Sequence, residues 1–443
     1  MKVGPKWLRH SIHLAAALGL ALGAGSAQAG NGYFILGYGP MAHQSAGTAT
    51  AMGLDGFSGS SNPGKLSAVD SRLDLGVLLF MPYRRIQRTG SDTPYDFIST
   101  SRNSFFALPE VGYAQRINDT LSWGVTIYGN GGLNTEYADT TGIPDTNANP
   151  QRCGSEPGNF FFGCGKLGFD LSQLIVAPTL SWEFKPGHSI GVSPLLAYQR
   201  FKAYGFQAFE GVSAFPNEVT NRGYDEGFGA GVRVGWFGRI TPWLDVGAAY
   251  ATQVHMEKFN KYRGLLADGG AFDVPSNFSV GFAVRPLKGW TFGGDVQRIF
   301  YGDIKALSNG VLASLADPEN SPLGSRSGSG FNWRHLTNYK LAVAYEATPE
   351  LTVRAGFLYG RRPQADSSAN SVSFNLFAPN PLRQITAGFT WAFNPKNDLQ
   401  FAYGRYLRGT YRGPSATAGL GVGGEESVTP YVNTVMLGWT RHF

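Results

Sequence analysis

Segments in which apolar side chains alternate with small or polar ones recur along most of the chain. In residues 228–236 and 385–393 every second side chain is apolar, and the positions between hold Gly, Ala, Thr or a single Arg. A period of two is typical of β-strands, and this pattern fits strands with one face towards lipid and one towards a polar or mixed lumen. Soluble β-sandwiches also alternate, so the connections between strands must distinguish the two architectures.

These connections favour a membrane barrel. Tight turns such as Asn118-Asp119 and Pro186-Gly187 alternate with long loops, as in bacterial outer-membrane barrels with short periplasmic turns and long extracellular loops. We predict an all-β fold, a monomeric 14-stranded antiparallel transmembrane β-barrel over residues 72–443 with both termini in the periplasm. The predicted strands are 72–86, 103–117, 120–133, 168–185, 188–206, 223–241, 242–257, 275–287, 289–302, 332–348, 349–361, 382–395, 397–411 and 428–443.

Two features of the strands bear on pairing and assembly. Pro109, Pro178 and Pro194 lie inside predicted strands, and since proline has no N–H to donate, we expect bulges or kinks there. The amphipathic last strand ends in Phe443 and resembles the signal read by the barrel-assembly machinery. We therefore expect this machinery, outer-membrane lipid and lipopolysaccharide as partners.

The first 29 residues are typical of a secretory signal peptide. Lys2, Lys6 and Arg9 form a positive start, residues 14–24 an apolar core, and Ala27-Gln28-Ala29 a cleavage signal. The alternative is a membrane anchor helix, for which the apolar run is too short. A signal peptide before a barrel predicts the outer membrane of a Gram-negative bacterium.

Residues 30–71, between the signal and the first strand, are rich in Gly, Ala and Ser and show no strand periodicity. They form either a disordered periplasmic tail or a plug (hatch) inside the barrel. Fourteen strands enclose a lumen too wide for their own side chains to fill, although porins leave such a lumen open. Apolar residues such as Tyr33, Phe34 and Phe57 favour packing over disorder, so we predict a hatch.

Composition and charge narrow the functional classes. The 60 Gly, 31 Phe and 20 Tyr agree with strands, and a net charge of +6 that includes three signal-peptide cations does not suggest nucleic-acid binding. Cys153 and Cys164 are the only cysteines, and since an exported chain meets an oxidising compartment we expect a disulfide between them. A cysteine-based metal site would need further ligands, and no histidine is close in sequence. We expect no metal and no cofactor.

Two other classes of outer-membrane barrel were weighed. The five histidines after the signal lie in no recognisable catalytic motif and no G-x-S-x-G elbow is present, so we expect no enzymatic activity, with a lipid-modifying enzyme as the less favoured alternative. A diffusion porin would have a charged constriction loop and an open lumen. This chain has a long hatch and apolar loop residues such as Phe160-Phe161-Phe162 instead.

Several short motifs, in order along the fourteen strands, resemble the FadL/TodX-type outer-membrane transporters of long-chain fatty acids and related hydrocarbons. One departure is Gly64, where the family's hatch motif usually reads Asn-Pro-Ala. The motifs are Gly30-Asn31-Gly32-Tyr33-Phe34, Asn62-Pro63, Tyr128-Gly129-Asn130-Gly131-Gly132-Leu133, Val274-Pro275-Ser276-Asn277, Asp295-Val296-Gln297-Arg298, Trp333-Arg334 to Tyr339, Leu351 to Gly356 and Phe401-Ala402-Tyr403.

The resemblance implies passive uptake of hydrophobic small molecules, such as fatty acids, alkanes or aromatic hydrocarbons. It implies capture in a groove on the extracellular loops and a pocket touching the hatch N-terminus. On this basis the expected ligand-binding residues of the hatch are Gly30, Asn31, Gly32, Tyr33, Phe34, Asn62 and Pro63.

The strand pattern adds lumen cations to this set. Side chains alternate between the two faces of a strand, and this alternation places Lys340, Arg354 and Arg233 on the face towards the lumen. A fatty-acid substrate would need a buried cation to meet its carboxylate. The alternative role of these residues is pairing with lumen acids such as Asp245 or Asp295.

The third strand contains a candidate exit. Its alternation is regular between residues 121 and 127 and then collapses at Gly129, Asn130, Gly131 and Gly132. Three Gly and one Asn can adopt positive φ, so the strand can bend inward. An ordinary bulge or a frayed strand end is the alternative. The resemblance to a family with a kinked third strand favours a lateral opening for release of the substrate.

Overall fold

The structure, a computed structural model, describes residues 31–91, 96–138, 154–360, 383–415 and 423–443. The predicted signal peptide (1–29), Gly30 and Cys153 lie outside the described residues. Fourteen long strands pair antiparallel in sequence order, and the first pairs with the last from Arg72↔His442 to Ser91↔Gly423. The sheet is therefore a closed 14-stranded barrel, as predicted.

The long strands are numbered in chain order. They are β1 (Arg72–Ser91), β2 (Phe106–Arg116), β3 (Leu121–Asn134), β4 (Gly168–Lys185), β5 (His188–Tyr204), β6 (Asp225–Thr241), β7 (Leu244–Ala251), β8 (Asn277–Leu287), β9 (Trp290–Ile299), β10 (Leu336–Thr348), β11 (Leu351–Gly360), β12 (Arg383–Asn394), β13 (Asn397–Tyr406) and β14 (Gly423–His442). Three short strands, Phe97–Thr100, His255–Met256 and Tyr411–Pro414, extend the sheet at the loop end.

The strand boundaries differ from the prediction mainly at the loop end. Strand β10 starts at Leu336 rather than 332, because Asn332 has a positive φ of 55° that no strand residue adopts. Strand β9 stops at Ile299, where Tyr301–Asp303 forms a 3₁₀ turn. Strands β1 and β14 are longer than predicted and pair with each other as far as Ser91. The alternation of apolar and polar residues therefore predicts where the strands lie, but not the residues at which the loops begin.

The lipid-facing surface is apolar, as the alternation predicted. On β6 the exposed side chains include Phe228, Val232 and Val234, while Arg233 between them is buried. We expected bulges or kinks at the prolines, and no register shifts at Pro109 or Pro178, although pairing between β4 and β5 is interrupted between Val176↔Leu196 and Leu180↔Val192. The three prolines lie on the exposed face, and Pro178 and Pro194 both fall within this interruption, where neither has an N–H to donate.

Residues 31–69, called the hatch segment below, lie inside the barrel. Their backbone N–H groups donate to side chains on the inner wall on well-separated strands: Gly39 to Glu110 on β2 (2.7 Å), Ala49 to Asp295 on β9 (2.8 Å) and Ala46 to Thr386 on β12 (2.9 Å). Its helical turns are Pro40–Gln44, Ser58–Ser61 and Pro63–Ala68.

The loops form a compact apolar cap at one end of the barrel. Its buried residues join those of the upper hatch in a single hydrophobic cluster that includes Tyr33, Phe34, Phe206 and Trp333. Among the described residues, no helix is long and apolar enough to cross a membrane. The helical turns of the loops are Gln207–Val212, Pro216–Glu218, Asn260–Tyr262, Ala267–Gly270, Tyr301–Asp303, Lys305–Ser308 and Ala313–Ala316.

Candidate functional site

The barrel wall has a gap between β2 and β3. Strand β2 pairs with β1 along residues 106–114, but with β3 only from Val111↔Ile127 to Arg116↔Ser122. Residues 106–110 therefore have no ladder partner on the β3 side in the described part of the chain. In a closed barrel the backbone N–H and C=O groups of each strand are normally paired with those of its neighbours. The backbone groups that face this gap therefore need another hydrogen-bond partner.

A bulge in β3 turns the strand away from β2. The register with β4 shifts between Gly129 and Gly131, which leaves Asn130 as the extra residue, and pairing then continues to Asn134↔Asp170. The alternative of a frayed strand end is therefore wrong. Of the four predicted kink residues only Gly131 has a positive φ, 154°. A Cβ on Gly132 would lie 2.3 Å from the Leu171 carbonyl oxygen, so this glycine is needed for close backbone approach.

The start of the hatch segment occupies the edge that β2 leaves free. Phe34 forms an antiparallel bridge with Gly131. The Ile35 N–H donates to the Asn130 carbonyl, and the Gly132 N–H donates to the Tyr33 carbonyl, both at 3.2 Å. Hatch and strand approach so closely that a Cβ on Gly131 would lie 2.0 Å from the Tyr33 oxygen. The hatch thus acts as the missing strand partner at the gap.

A cavity of about 150 Å³ lies against this contact. Its apolar lining comes from the hatch, from the unpaired part of β2 and from β3 and β4, and includes Phe34, Ile35, Phe106, Leu108, Leu133 and Leu171. Arg84, Gln384 and Tyr406 line its other side, on β1, β12 and β13. The cavity is therefore bounded by both the gap and the hatch end.

A second cavity of about 50 Å³ lies among the loops, and its lining includes Phe169, Phe206, Phe209, Leu266 and Phe331. Aromatic rings connect it to the first cavity. The ring centroids are 6.0 Å apart for Phe331–Trp333, 5.1 Å for Trp333–Tyr301 and 5.7 Å for Tyr301–Phe34. An apolar path thus leads from the loop cap to the hatch end, blocked by these side chains.

Loop residue Tyr301 also fixes the hatch end. Its hydroxyl donates to the Asn31 carbonyl (2.7 Å) and accepts from the Phe34 N–H (3.3 Å). Asn338 on β10 donates to the Asn31 side chain. Gly32 has a φ of 66°, and a Cβ there would lie 2.4 Å from the Tyr301 ring.

The three predicted lumen cations hold the hatch rather than line the larger cavity. The Lys340 ammonium donates to the carbonyls of Leu36 (3.4 Å) and Gly47 (3.1 Å). Arg354 donates to the Gln44 side chain (2.7 Å). The lining of the larger cavity includes none of these three cations.

Arg233 and the predicted acids complete this pattern. Arg233 donates to the Gly59 carbonyl and the Tyr128 hydroxyl, both at 3.2 Å. Asp295, opposite Lys340 in the β9–β10 register, accepts from hatch N–H groups, while Asp245 pairs with Arg285 at 2.6 Å. Neither acid forms the expected ion pair with a predicted lumen cation among the described residues.

Asn62 and Pro63 have a structural position in the hatch. The Asn62 amide donates to the carbonyls of Thr50 (2.9 Å) and Trp236 (2.8 Å), and its oxygen accepts from the Gly64 N–H (3.0 Å). A Cβ on Gly64 would lie 2.9 Å from the Phe237 nitrogen. The hatch backbone approaches the barrel wall too closely here for a Cβ, which explains why this chain has Gly64 in the hatch motif.

The lower half of the hatch carries a buried charged network. Asp74 on β1 accepts from Arg72 (2.8 Å) and from the Gly56 N–H of the hatch (2.7 Å). Burial, and secondarily the charge of Asp74, raises the pKa of Asp55 to about 6. Burial lowers the pKa of Lys65 to about 8. This polar packing makes the route through the hatch unfavourable for an apolar molecule.

The expected disulfide lies partly outside the described residues. Cys164 is disulfide-bonded and buried, and Cys153 is not described. Phe160 and Phe161 nearby are buried, with Phe160 stacked on Phe97 at 4.3 Å between ring centroids. They belong to the core of the loop cap.

Sequence reasoning missed Arg84, Gln384, Tyr406 and the Tyr301 contact. Arg84 shares the inward parity of Arg72 and Asp74 on β1, so a signal for it was present. The Tyr301 contact had no signal, because it depends on how a loop folds over the hatch. No three His, Cys, Asp or Glu side chains of the described chain are grouped to hold a metal.

Comparison with known proteins agrees with this architecture. Among solved structures, the P. putida toluene transporter TodX has a TM-score of 0.66 and 15% identity and covers 92% of this chain and 99% of its own. A Pseudomonas aeruginosa FadL homologue gives 0.66 and 14%, covering 93% and 100%. The Ralstonia pickettii toluene transporter TbuX gives 0.61 and 17%, covering 92% and 99%. At these identities the likeness shows the fold.

A comparison with curated proteins found no match. The family model described as outer membrane protein transport protein (OMPP1/FadL/TodX) matches residues 165–418, more than half of the chain. The predicted resemblance is confirmed: this chain belongs to the OMPP1/FadL/TodX family of outer-membrane transporters of hydrophobic compounds.

Proposed function

We propose that this protein mediates passive uptake of long-chain fatty acids or related hydrocarbons and releases them sideways through the wall gap at β3. The observation that carries the proposal is the apolar cavity that touches both the unpaired part of β2 and the hatch end bound to β3. The route begins with capture on the loops, continues along the aromatic path and reaches this cavity when Trp333 and Tyr301 move aside.

Release requires movement of the hatch end. Withdrawal of Tyr33–Ile35 from Gly131 would break two hydrogen bonds and leave the edge of β3 facing the gap. A hydrophobic molecule gains about 0.8 kcal/mol per CH₂ group on entering lipid. It gains nothing comparable on the downward route, where Asp55, Lys65 and Arg72 are buried. Sideways exit is therefore the favoured direction.

The choice between a fatty acid and a neutral hydrocarbon depends on whether a cation contacts the substrate. Lys340, Arg354 and Arg233 already donate to the hatch, so their removal would loosen the hatch for every substrate. We now expect Lys340→Ala to impair fatty-acid and alkane uptake alike. If Lys340→Ala impaired only fatty-acid uptake, this result would support direct contact between Lys340 and the substrate carboxylate.

The test is uptake of radiolabelled oleate, hexadecane and toluene by cells with and without the full chain. Expression should increase the uptake of at least one of them, and no increase for any would contradict transport. Single-channel conductance tests the porin alternative, since an open pore would conduct steadily. An esterase assay tests the enzyme alternative, because the proposal contains no chemistry on the substrate.

Several further expectations belong to this proposal. Residues 1–29 are removed on export, both termini lie in the periplasm, and the loop end faces outward beside lipopolysaccharide. The barrel is inserted by the barrel-assembly machinery and acts as a monomer. A Cys153–Cys164 bridge holds the loop that contains Phe160, and equal thiol labelling before and after reduction would contradict it.

A further inference from the structure

Polar side chains on one wall of the larger cavity point to the substrate class. Gln384 on β12 is fully buried, and within the described residues neither its amide nitrogen nor its oxygen has a hydrogen-bond partner. Tyr406 is 6% exposed, and its hydroxyl lies near the backbone N–H of Leu36 but has no hydrogen bond of ordinary geometry among the described residues. Both residues line the cavity. Buried polar groups without partners are rare and costly, so these groups require an explanation.

Arg84 adds a charge to the same wall. It lines the cavity, and its guanidinium donates to the carbonyls of Asn103 (3.4 Å) and Asn134 across the gap. No carboxylate of the described chain forms an ion pair with it. A guanidinium has five donors, so Arg84 can bind an anion while it keeps these two contacts.

The register brings the three residues to neighbouring levels of the wall. Gln384 lies directly opposite Tyr406, and Tyr406 lies opposite Val432 on β14. Pro430, two residues before Val432, lies opposite Arg84. Three strand spacings of about 4.8 Å, roughly 14 Å in all, separate Gln384 from Arg84, a width that a carboxylate bound between these two long side chains can bridge. All three can donate a hydrogen bond, and the hatch and β2 contribute the apolar residues Phe34, Ile35, Phe106 and Leu108 to the same cavity.

We propose that this cavity binds a small monocarboxylate, with the carboxylate held by Arg84, Gln384 and Tyr406 and an apolar body about the size of one ring against the hatch end and β2. The size follows from the volume, since an apolar cavity of about 150 Å³ accepts benzene in another protein. The acid follows from the donors, because a neutral hydrocarbon would leave the Gln384 amide and the Tyr406 hydroxyl unpaired and give Arg84 no anion. The inference rests on the proposed uptake route, and it specifies a ring-sized monocarboxylate as the substrate in place of a long chain.

The experiment measures binding of benzoate and toluene to the mature full-length protein in detergent by calorimetry. Benzoate should bind more tightly than toluene. Gln384→Leu and Arg84→Met should each weaken benzoate binding roughly ten- to a hundredfold, the usual effect of removing a hydrogen bond to a charged group, and leave toluene within about twofold. Tyr406→Phe should act in the same direction.

The controls separate binding from folding. Arg85, the neighbour of Arg84, is exposed on the opposite face of β1, so Arg85→Met should change neither ligand. Gln384→Leu breaks no described hydrogen bond and should keep the fold even if Arg84→Met perturbs the gap. Two results would overturn this inference and leave the proposed function intact. One is unchanged benzoate binding in both Gln384→Leu and Arg84→Met, and the other is a wild type that binds toluene only. A wild type that binds neither ligand would overturn the cavity's role in the proposed function as well.

Discussion

Replacing Gly131 with Ala should release the hatch end from β3. The new Cβ would lie 2.0 Å from the Tyr33 carbonyl oxygen, and the backbone has a φ of 154° that an L side chain rarely adopts. The substitution costs the two hydrogen bonds of Ile35 and Gly132, about 1 kcal/mol each, and roughly 1 kcal/mol or more of backbone strain. The total of about 3 kcal/mol corresponds to a population shift of roughly a hundredfold.

Hydrogen exchange at the Ile35 and Gly132 amides measures this release. We expect both to exchange roughly a hundredfold faster in Gly131→Ala. Gly129→Ala is a matched control in the same bulge, because its Cβ would meet only side-chain carbons of Leu108 and Ile35, at 3.9 and 4.0 Å. If the two variants exchange alike, the hatch end does not depend on close approach at Gly131, and this reasoning fails.

Three further changes test other parts of the structure. Tyr301→Phe removes the hydroxyl that binds Asn31, so the Phe34 amide should exchange about tenfold faster if the loop holds the hatch. Arg88→Met removes the 2.7 Å ion pair with buried Glu426, and thermal unfolding should show a loss of about 3 kcal/mol. Because the Asp55 pKa is raised from 3.8 to about 6, its stabilisation of the seated hatch is complete below pH 3.8 and is lost as the pH rises through 6. After correction for the intrinsic pH dependence of amide exchange, the opening free energy of the hatch should be up to about 3 kcal/mol higher at pH 4 than at pH 7, and Asp55→Asn should abolish this difference.

The sequence was sufficient to predict the barrel because its determinants are local. The alternation in residues 228–236 reports one lipid-facing strand, and the short turns fix the antiparallel order of neighbours. The glycine run at 129–132 marked the bulge in the same way. Each signal lies within a few residues, so no knowledge of the tertiary structure was needed.

The environment of the site could not be predicted, because it depends on contacts between distant segments. Parity correctly placed Lys340 and Arg233 on the inner wall, but not the hatch carbonyls that they bind. Pairing of Phe34 with Gly131 joins residues almost a hundred positions apart and has no local pattern. Strand alternation could have placed Arg84 and Gln384 on the inner face of the barrel. Only the path of the hatch shows that they face a cavity.

The most direct test of lateral release is to obstruct the wall gap. Leu108 lines the cavity from the part of β2 that β3 does not cover, so Leu108→Cys labelled with a bulky maleimide in unreduced protein would fill the exit. Val232→Cys provides a control at a lipid-facing site of β6 that is 39% exposed. We predict that labelling at 108 stops uptake of the transported compound while labelling at 232 leaves the rate unchanged. Undiminished uptake by the protein labelled at 108 would contradict lateral release at β3.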